Sequence, residues 1–182
     1  MKRIVFLFVV GFFAFPFHLS GQPALENSAE QKLLGTWHLV SYVRENIPSG
    51  TKSDVMKPHP HGYINYARDG RMIVIIVGSD RTKPAGSVAT PAEAAALLKS
   101  MLAYAGTFTI DSEAKTVPHH VDVSWDESRT GTDQVRRFNL EADHLTLTTE
   151  PSTDTVTGEK TVRELVWEKL NCLDERSRSR QP

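Results

Sequence analysis

Between about residues 31 and 170, apolar and polar side chains alternate in short runs, and each run ends at a cluster of Gly, Pro, Asn or Asp. Alternation with a period of two is typical of a β-strand with one face on a core. The pattern predicts eight strands, at about 36–44, 62–68, 71–78, 106–111, 116–125, 133–141, 144–149 and 161–170. Their short connections favour antiparallel neighbours, because parallel strands need long crossover segments.

One segment departs from this alternation and predicts a helix. Thr90-Pro91-Ala92-Glu93 is a capping box with proline at the first helical position, and Ala-rich sequence follows to about residue 103. The apolar positions of this helix are Ala94, Leu97, Leu98 and Met101. The run Met72–Val77 is apolar without a break, so we expect it to be buried on both faces and to pack against the helix.

The dipeptide Asp69-Gly70 joins the second and third predicted strands and predicts a hairpin with a type I′ turn. Eight antiparallel strands with one core face can close into a barrel, which removes the exposed sheet edges. The predicted fold class is therefore all-β, an eight-stranded antiparallel barrel with one helix inserted between strands 3 and 4. Such a barrel is either filled by side chains or holds one small ligand.

The N-terminus has the composition of a secretory signal. Residues 1–21 begin with two basic residues, continue with an apolar run and end in Leu19-Ser20-Gly21. The apolar run contains Pro16 and is shorter than the about 20 residues of a membrane span. We therefore expect cleavage and export, to the periplasm or outside the cell, with no stable membrane anchor. The predicted organisation is a signal peptide at 1–21, a linker at 22–32, the barrel at 33–171 and a disordered charged tail at 172–182.

Charge and cysteine content narrow the function classes. The 182 residues carry a formal net charge of −1, which gives no general attraction to nucleic acid, so we expect no nucleic-acid partner. The single cysteine, Cys172, allows no internal disulfide, so core burial has to supply the stability. The hydrolase and nucleotide-binding signatures G-x-S-x-G, H-E-x-x-H and the phosphate loop do not occur, and we expect no cofactor. The oligomeric state stays open.

Several segments together resemble one family. The first strand contains Gly35-Thr36-Trp37, the G-x-W pattern that opens the barrel of lipocalins. The wider similarity lies in Leu34–Ser41, Gly62–Tyr66, Asp69–Met72, Ala103–Phe108, His119–Ser124, Gly131–Arg136 and Leu165–Glu168. Over about residues 33–170 the chain resembles the bacterial and fungal lipocalin-like domain family. The resemblance implies a lipocalin-type barrel with an added helix, and it implies less about activity, because most members have no assigned function.

Three polar residues are expected to point into the barrel. His119 alternates with the apolar residues of its strand, Val123 among them, so it shares their inward face. Gln134 and Arg136 are in phase with the apolar end of the next strand. A guanidinium inside a barrel needs a carboxylate, backbone carbonyls, water or an anionic ligand. The three residues form either part of a ligand pocket or a satisfied internal network without a ligand.

The candidate ligand-binding residues are Tyr66, Tyr104, His119, Gln134 and Arg136, with the two tyrosines expected at the mouth of the cavity. We expect an exported binding protein rather than an enzyme, and its partner is a small, mostly apolar molecule, with or without an anionic group. The alternatives are an isomerase or cyclase in the same cavity, with His119 and either Tyr104 or Arg136 transferring protons, and a filled structural barrel.

Two further groups of residues invite other assignments. His119 and His120 are adjacent in a strand and face opposite ways, so they do not readily share a metal ion, and we expect no metal site. The resemblance to lipocalins implies that a cation from the last strand stacks on Trp37 at the closed end of the barrel. Arg163 is in phase with Leu165 and is the expected cation.

Overall fold

The computed structural model describes residues 29–154 and 157–170. The strands are β1 (Gly35–Asn46), β2 (Lys52–Asp54), β3 (His61–Tyr66), β4 (Arg71–Val77), β5 (Met101–Phe108), β6 (Thr116–Ser124), β7 (Asp133–Glu141), β8 (His144–Thr149), β9 (Ser152–Thr153) and β10 (Lys160–Lys169). The helices are α1 (Ala29–Leu33), α2 (Pro91–Lys99) and a 3₁₀ turn at Glu127–Arg129. The signal peptide and the charged tail predicted above lie outside the described residues.

Eight of the strands close into an antiparallel barrel in the order β1-β3-β4-β5-β6-β7-β8-β10, and β10 pairs back onto β1. The short strands β2 and β9 extend the sheet beside β1 and β10. Helix α2 lies between β4 and β5, which are the third and fourth strands of the barrel. The predicted fold class, including the position of the helix, is confirmed.

Side chains along β4 alternate between the barrel core and solvent. Met72, Val74 and Ile76 are buried, whereas Ile73 and Ile75 are 56% and 44% exposed. The expectation that this strand is buried on both faces is therefore wrong. An apolar run without polar residues does not by itself show that both faces of a strand are covered.

Helix α2 is capped as predicted but is shorter and does not cover β4. Thr90 Oγ1 accepts a hydrogen bond from the Glu93 amide at 3.3 Å, which forms the capping box. The helix ends at Lys99, none of its residues is buried, and Met101 begins β5, where it pairs with Val77. At residue 101 the chain therefore pairs with β4 instead of continuing the helix. None of the helices in the described part of the chain has the length and hydropathy of a membrane span.

The turn between β3 and β4 is a hairpin of a different type from the one predicted. Only Gly70 has a positive φ, of 82°, and its amide donates to Ala67 O at 3.1 Å. The Ala67 amide in turn donates to Arg71 O at 2.8 Å. This is a three-residue loop with one left-handed glycine, whereas a type I′ turn needs two residues with positive φ.

A bulge separates two halves of β6. Ala105 pairs with Val123 and Gly106 pairs with Val121, so Asp122 is an extra residue opposite β5. A Cβ at Gly106 would lie 1.9 Å from the His120 carbonyl oxygen, so this close approach requires glycine. The bulge turns Val123 outward, where it is 59% exposed, which corrects its predicted inward position.

Helix α1 lies against one end of the barrel and spans the end of the predicted linker, 22–32, and the first residue of the predicted barrel domain. Leu33 is fully buried, and its carbonyl accepts a 2.9 Å hydrogen bond from Trp37 Nε1. Lys169 Nζ lies 4.9 Å from the centroid of the Trp37 ring and donates to Lys32 O at 2.6 Å. The cation over Trp37 is therefore Lys169 and not Arg163, because Trp37 pairs in register with Lys169.

Candidate functional site

The barrel interior is hollow at the end opposite α1. A cavity of about 620 Å³ opens there between the α2–β5 junction, the β6–β7 connection and the segment that follows β8. Its apolar wall is formed by Ile64, Val74, Ile76, Leu147, Leu165 and Trp167. Each of these side chains belongs to the inward face of a barrel strand. The apolar wall therefore consists of the inward positions that alternate with outward ones along the strands.

His119 is buried at one side of the cavity between two tyrosines. Tyr66 Oη lies 2.8 Å from His119 Nε2, and Tyr104 Oη lies 2.9 Å from His119 Nδ1. The three rings come from β3, β5 and β6, and each is at most 6% exposed. The Tyr66 ring also packs edge-on against Phe108, with centroids 4.9 Å apart.

Burial shifts the protonation of all three groups toward their neutral forms. Desolvation, followed by the charge of Arg136, holds the pKa of His119 well below the ordinary value for histidine. Desolvation raises the pKa of Tyr66 well above its usual range and also raises that of Tyr104, where the Arg136 and Arg129 guanidinium groups oppose the shift. At neutral pH the triad is thus an uncharged imidazole between two uncharged phenols.

A neutral imidazole has one N–H donor and one bare acceptor nitrogen, so the two phenols play different roles. Among the described residues, His119 Nε2 is the hydrogen-bond partner of Tyr66 Oη. Tyr66 is 1% exposed, so its hydroxyl hydrogen needs an acceptor inside the protein, and His119 Nε2 is that acceptor. His119 Nδ1–H then donates to Tyr104, whose own hydroxyl hydrogen is left to donate elsewhere. Tyr104 lines the cavity, so this hydrogen is available to a ligand.

Arg136 and Gln134 lie on β7 beside this triad. Arg136 Nη1 donates to Val135 O at 2.8 Å, and Nη2 lies 3.4 Å from Gln134 Oε1. The same amide oxygen accepts from Arg129 Nη1 at 3.1 Å, and Gln134 Nε2 donates to Thr132 Oγ1 at 2.9 Å. Gln134 therefore orients two guanidinium groups at the edge of the cavity.

The structure brings the predicted site residues together with one exception. Tyr104, His119, Gln134 and Arg136 line the cavity, whereas Tyr66 lies behind His119 and does not. Neither tyrosine is at the mouth, which corrects the expected position, because their inward-facing rings reach the buried imidazole instead of solvent.

The lining residues outside the predicted set include Trp125, Arg129, Arg163 and Trp167. Arg163 and Trp167 are each two residues from Leu165 in β10, so the alternation of this strand already indicated that both face inward. Arg129 lies in the 3₁₀ turn, where no periodic pattern reports the direction of a side chain. Within the described residues, no group of three or more His, Cys, Asp or Glu side chains is placed to hold a metal ion.

A model of the lipocalin-like domain family matches residues 34–170. The match spans every strand of the barrel, from β1 to β10, and includes all the residues of the cavity wall. No protein with a curated description matches the chain.

Proposed function

As the chain belongs to the lipocalin-like domain family, we propose that it binds a small, mostly apolar molecule in the barrel cavity. The cavity itself carries this proposal. Its volume of about 620 Å³ falls in the range of small-molecule sites, about 300–1,000 Å³, and its wall combines aliphatic side chains with a few convergent polar groups.

The contacts support a division between structural and ligand-facing polar groups. Both ring nitrogens of His119 have partners, as an internal network requires. Arg136 instead contacts a backbone carbonyl, an amide oxygen and the Tyr104 phenol, and it has no carboxylate partner among the described residues. We therefore assign His119 to the support of the site and Arg136 to the ligand.

The pKa shifts of His119, Tyr66 and Tyr104 favour a binding function over an isomerase or cyclase activity. A general base works best with a pKa near the operating pH. Burial lowers the pKa of His119 and raises those of Tyr66 and Tyr104, so all three pKa values move away from neutral pH. The groups are suited to donate and accept fixed hydrogen bonds rather than to exchange protons with a substrate.

Titration with N-phenyl-1-naphthylamine, an uncharged dye that fluoresces in apolar surroundings, tests the proposal. We expect saturable binding of about one dye per barrel, as in a single-ligand cavity. Val74→Phe narrows the cavity and should reduce binding, whereas Ile73→Phe changes the adjacent, outward residue and should not. Thermal melting identifies variants that fail to fold. If the wild-type barrel does not enhance the dye's fluorescence, the proposed function is wrong.

We also propose that the protein acts after export. The support is the basic start, apolar run and small residues of 1–21, which lie outside the described residues. N-terminal sequencing of the mature protein should find a start near Gln22. A mature protein that retains Met1 would contradict this proposal.

A further inference from the structure

The charged side chains around the cavity are unevenly paired. Two carboxylates line it, and both are engaged on the outside of the barrel. Asp133 Oδ1 lies 2.8 Å from His120 Nδ1, and Glu150 Oε1 accepts from Arg137 Nε at 3.1 Å. His120 and Arg137 do not line the cavity, so both carboxylates of the wall pair with side chains outside it.

The basic side chains of the wall outnumber these carboxylates. They are Lys99, Arg129, Arg136 and Arg163. Arg129 has a carboxylate, that of Asp126, at 3.7 Å, and the polar contact of Arg163 is with Ser152 Oγ at 3.4 Å. Within residues 29–154 and 157–170, neither Arg136 nor Arg163 has a carboxylate at ion-pair distance. The cavity wall therefore has a local excess of positive charge.

One further polar group of the wall has a hydrogen left to donate. Tyr104 lines the cavity, and by the tautomer argument above its hydroxyl hydrogen is not used by His119. Arg136 contacts the same phenol, so the two groups lie side by side at the cavity. A hydroxyl donor beside a guanidinium is complementary to a ligand that supplies acceptor oxygens.

We propose that the ligand is an amphipathic organic acid, with its apolar body against the aliphatic wall and its carboxylate toward Arg136 and the Tyr104 hydroxyl. This inference rests on the proposed function and narrows it to one chemical class. A carboxylate has only acceptor oxygens, and its plane matches that of a guanidinium. His119 and Tyr66 are positioning residues, because their hydrogen bonds fix the Tyr104 hydroxyl as a donor.

Competition against bound N-phenyl-1-naphthylamine tests this inference with decanoate, decan-1-ol and decylamine, which share one chain and differ in the head group. At pH 7.5 we expect decanoate to displace the dye at concentrations about tenfold or more below those needed for the alcohol, as a charge-assisted hydrogen bond provides. Decylamine, which is a cation at this pH, should be the weakest competitor.

Matched variants test which residue causes the preference for decanoate over decan-1-ol. Arg136→Met should reduce the potency of decanoate to near that of decan-1-ol, and Arg136→Lys should keep part of the preference. Arg71→Met removes the same charge from an exposed residue that pairs with Asp122; neither residue lines the cavity, so the preference should stay unchanged. Dye affinity and melting temperature report whether each variant still has a folded, hollow barrel.

The outcomes separate the two proposals. Equal potency of decanoate and decan-1-ol, with the dye still bound, would overturn the organic-acid inference and leave the cavity function standing. Equal decanoate affinities of Arg136→Met and Arg71→Met would overturn it in the same way. If neither the dye nor any of the three competitors binds, the proposed function fails and the inference fails with it.

Discussion

The two ends of the barrel are built from the same alternating strands but are filled differently. Beside α1, the side chains of Leu33, Trp37 and Leu145 have no exposed surface, and one cation stacks on the Trp37 indole. At the other end the inward positions leave a cavity of about 620 Å³, around which arginines such as Arg136 and Arg163 lie without carboxylates among the described residues. The packed end thus stabilises the fold, whereas the open end keeps polar groups that folding alone does not require.

Truncation at the packed end should give the largest effect. Trp37→Ala removes a fully buried indole, its hydrogen bond to Leu33 O and its contact with Lys169. We expect a loss of about 3–5 kcal/mol in the free energy of unfolding. Denaturant unfolding measures it, and dye affinity below the melting transition should stay near that of the wild type. An unchanged melting temperature would show that the packed end does not stabilise the barrel.

A substitution at the bulge should affect both ends, with a smaller loss of stability. Gly106→Ala forces β5 and β6 apart, because the new Cβ would meet the His120 carbonyl oxygen. We expect a loss of about 1–3 kcal/mol, typical of overpacking, together with weaker dye binding as His119 shifts. Gly86→Ala is the control, since the nearest atom to its Cβ is 3.7 Å away. Equal melting temperatures for the two variants would contradict the role given to the bulge.

The pH dependence of stability should report the burial of His119, which lies at the boundary of the packed core and the cavity. Its pKa is depressed in the folded state, so below about pH 6.5 the unfolded chain takes up a proton that the native imidazole resists. The stability from this group is present above that pH and falls by up to about 1.4 kcal/mol per pH unit as acid is added. His119→Gln should flatten this slope between pH 6.5 and the folded-state pKa. A slope identical to that of the wild type would mean that His119 titrates freely.

The smallest effect is expected at the cation over Trp37. Lys169→Met keeps most of the side-chain volume but removes the charge that lies 4.9 Å from the indole centroid. We expect a loss of about 0.5–1 kcal/mol. Arg163→Met, which lies at the cavity instead, should change the melting temperature less than Lys169→Met does. The reverse order would restore Arg163 as the cation that stabilises Trp37.

Strand periodicity was enough to predict the barrel, because buried and exposed positions alternate along most of each barrel strand. It failed at Val123, where the Asp122 bulge shifts the phase, and a bulge has no signature in the alternation itself. Pairing of His119 with two tyrosines needs three strands in register, which no single-strand pattern contains. Arg129 was missed because it lies in an irregular connection.

The central claim, that the open end of the barrel holds one small molecule, is tested most directly by native mass spectrometry of the protein purified from its own host. The account predicts a one-to-one complex that releases a single organic acid on activation and is depleted in Val74→Phe but not in Ile73→Phe. Only the bare mass of the chain, or a molecule bound equally by both variants, would contradict it.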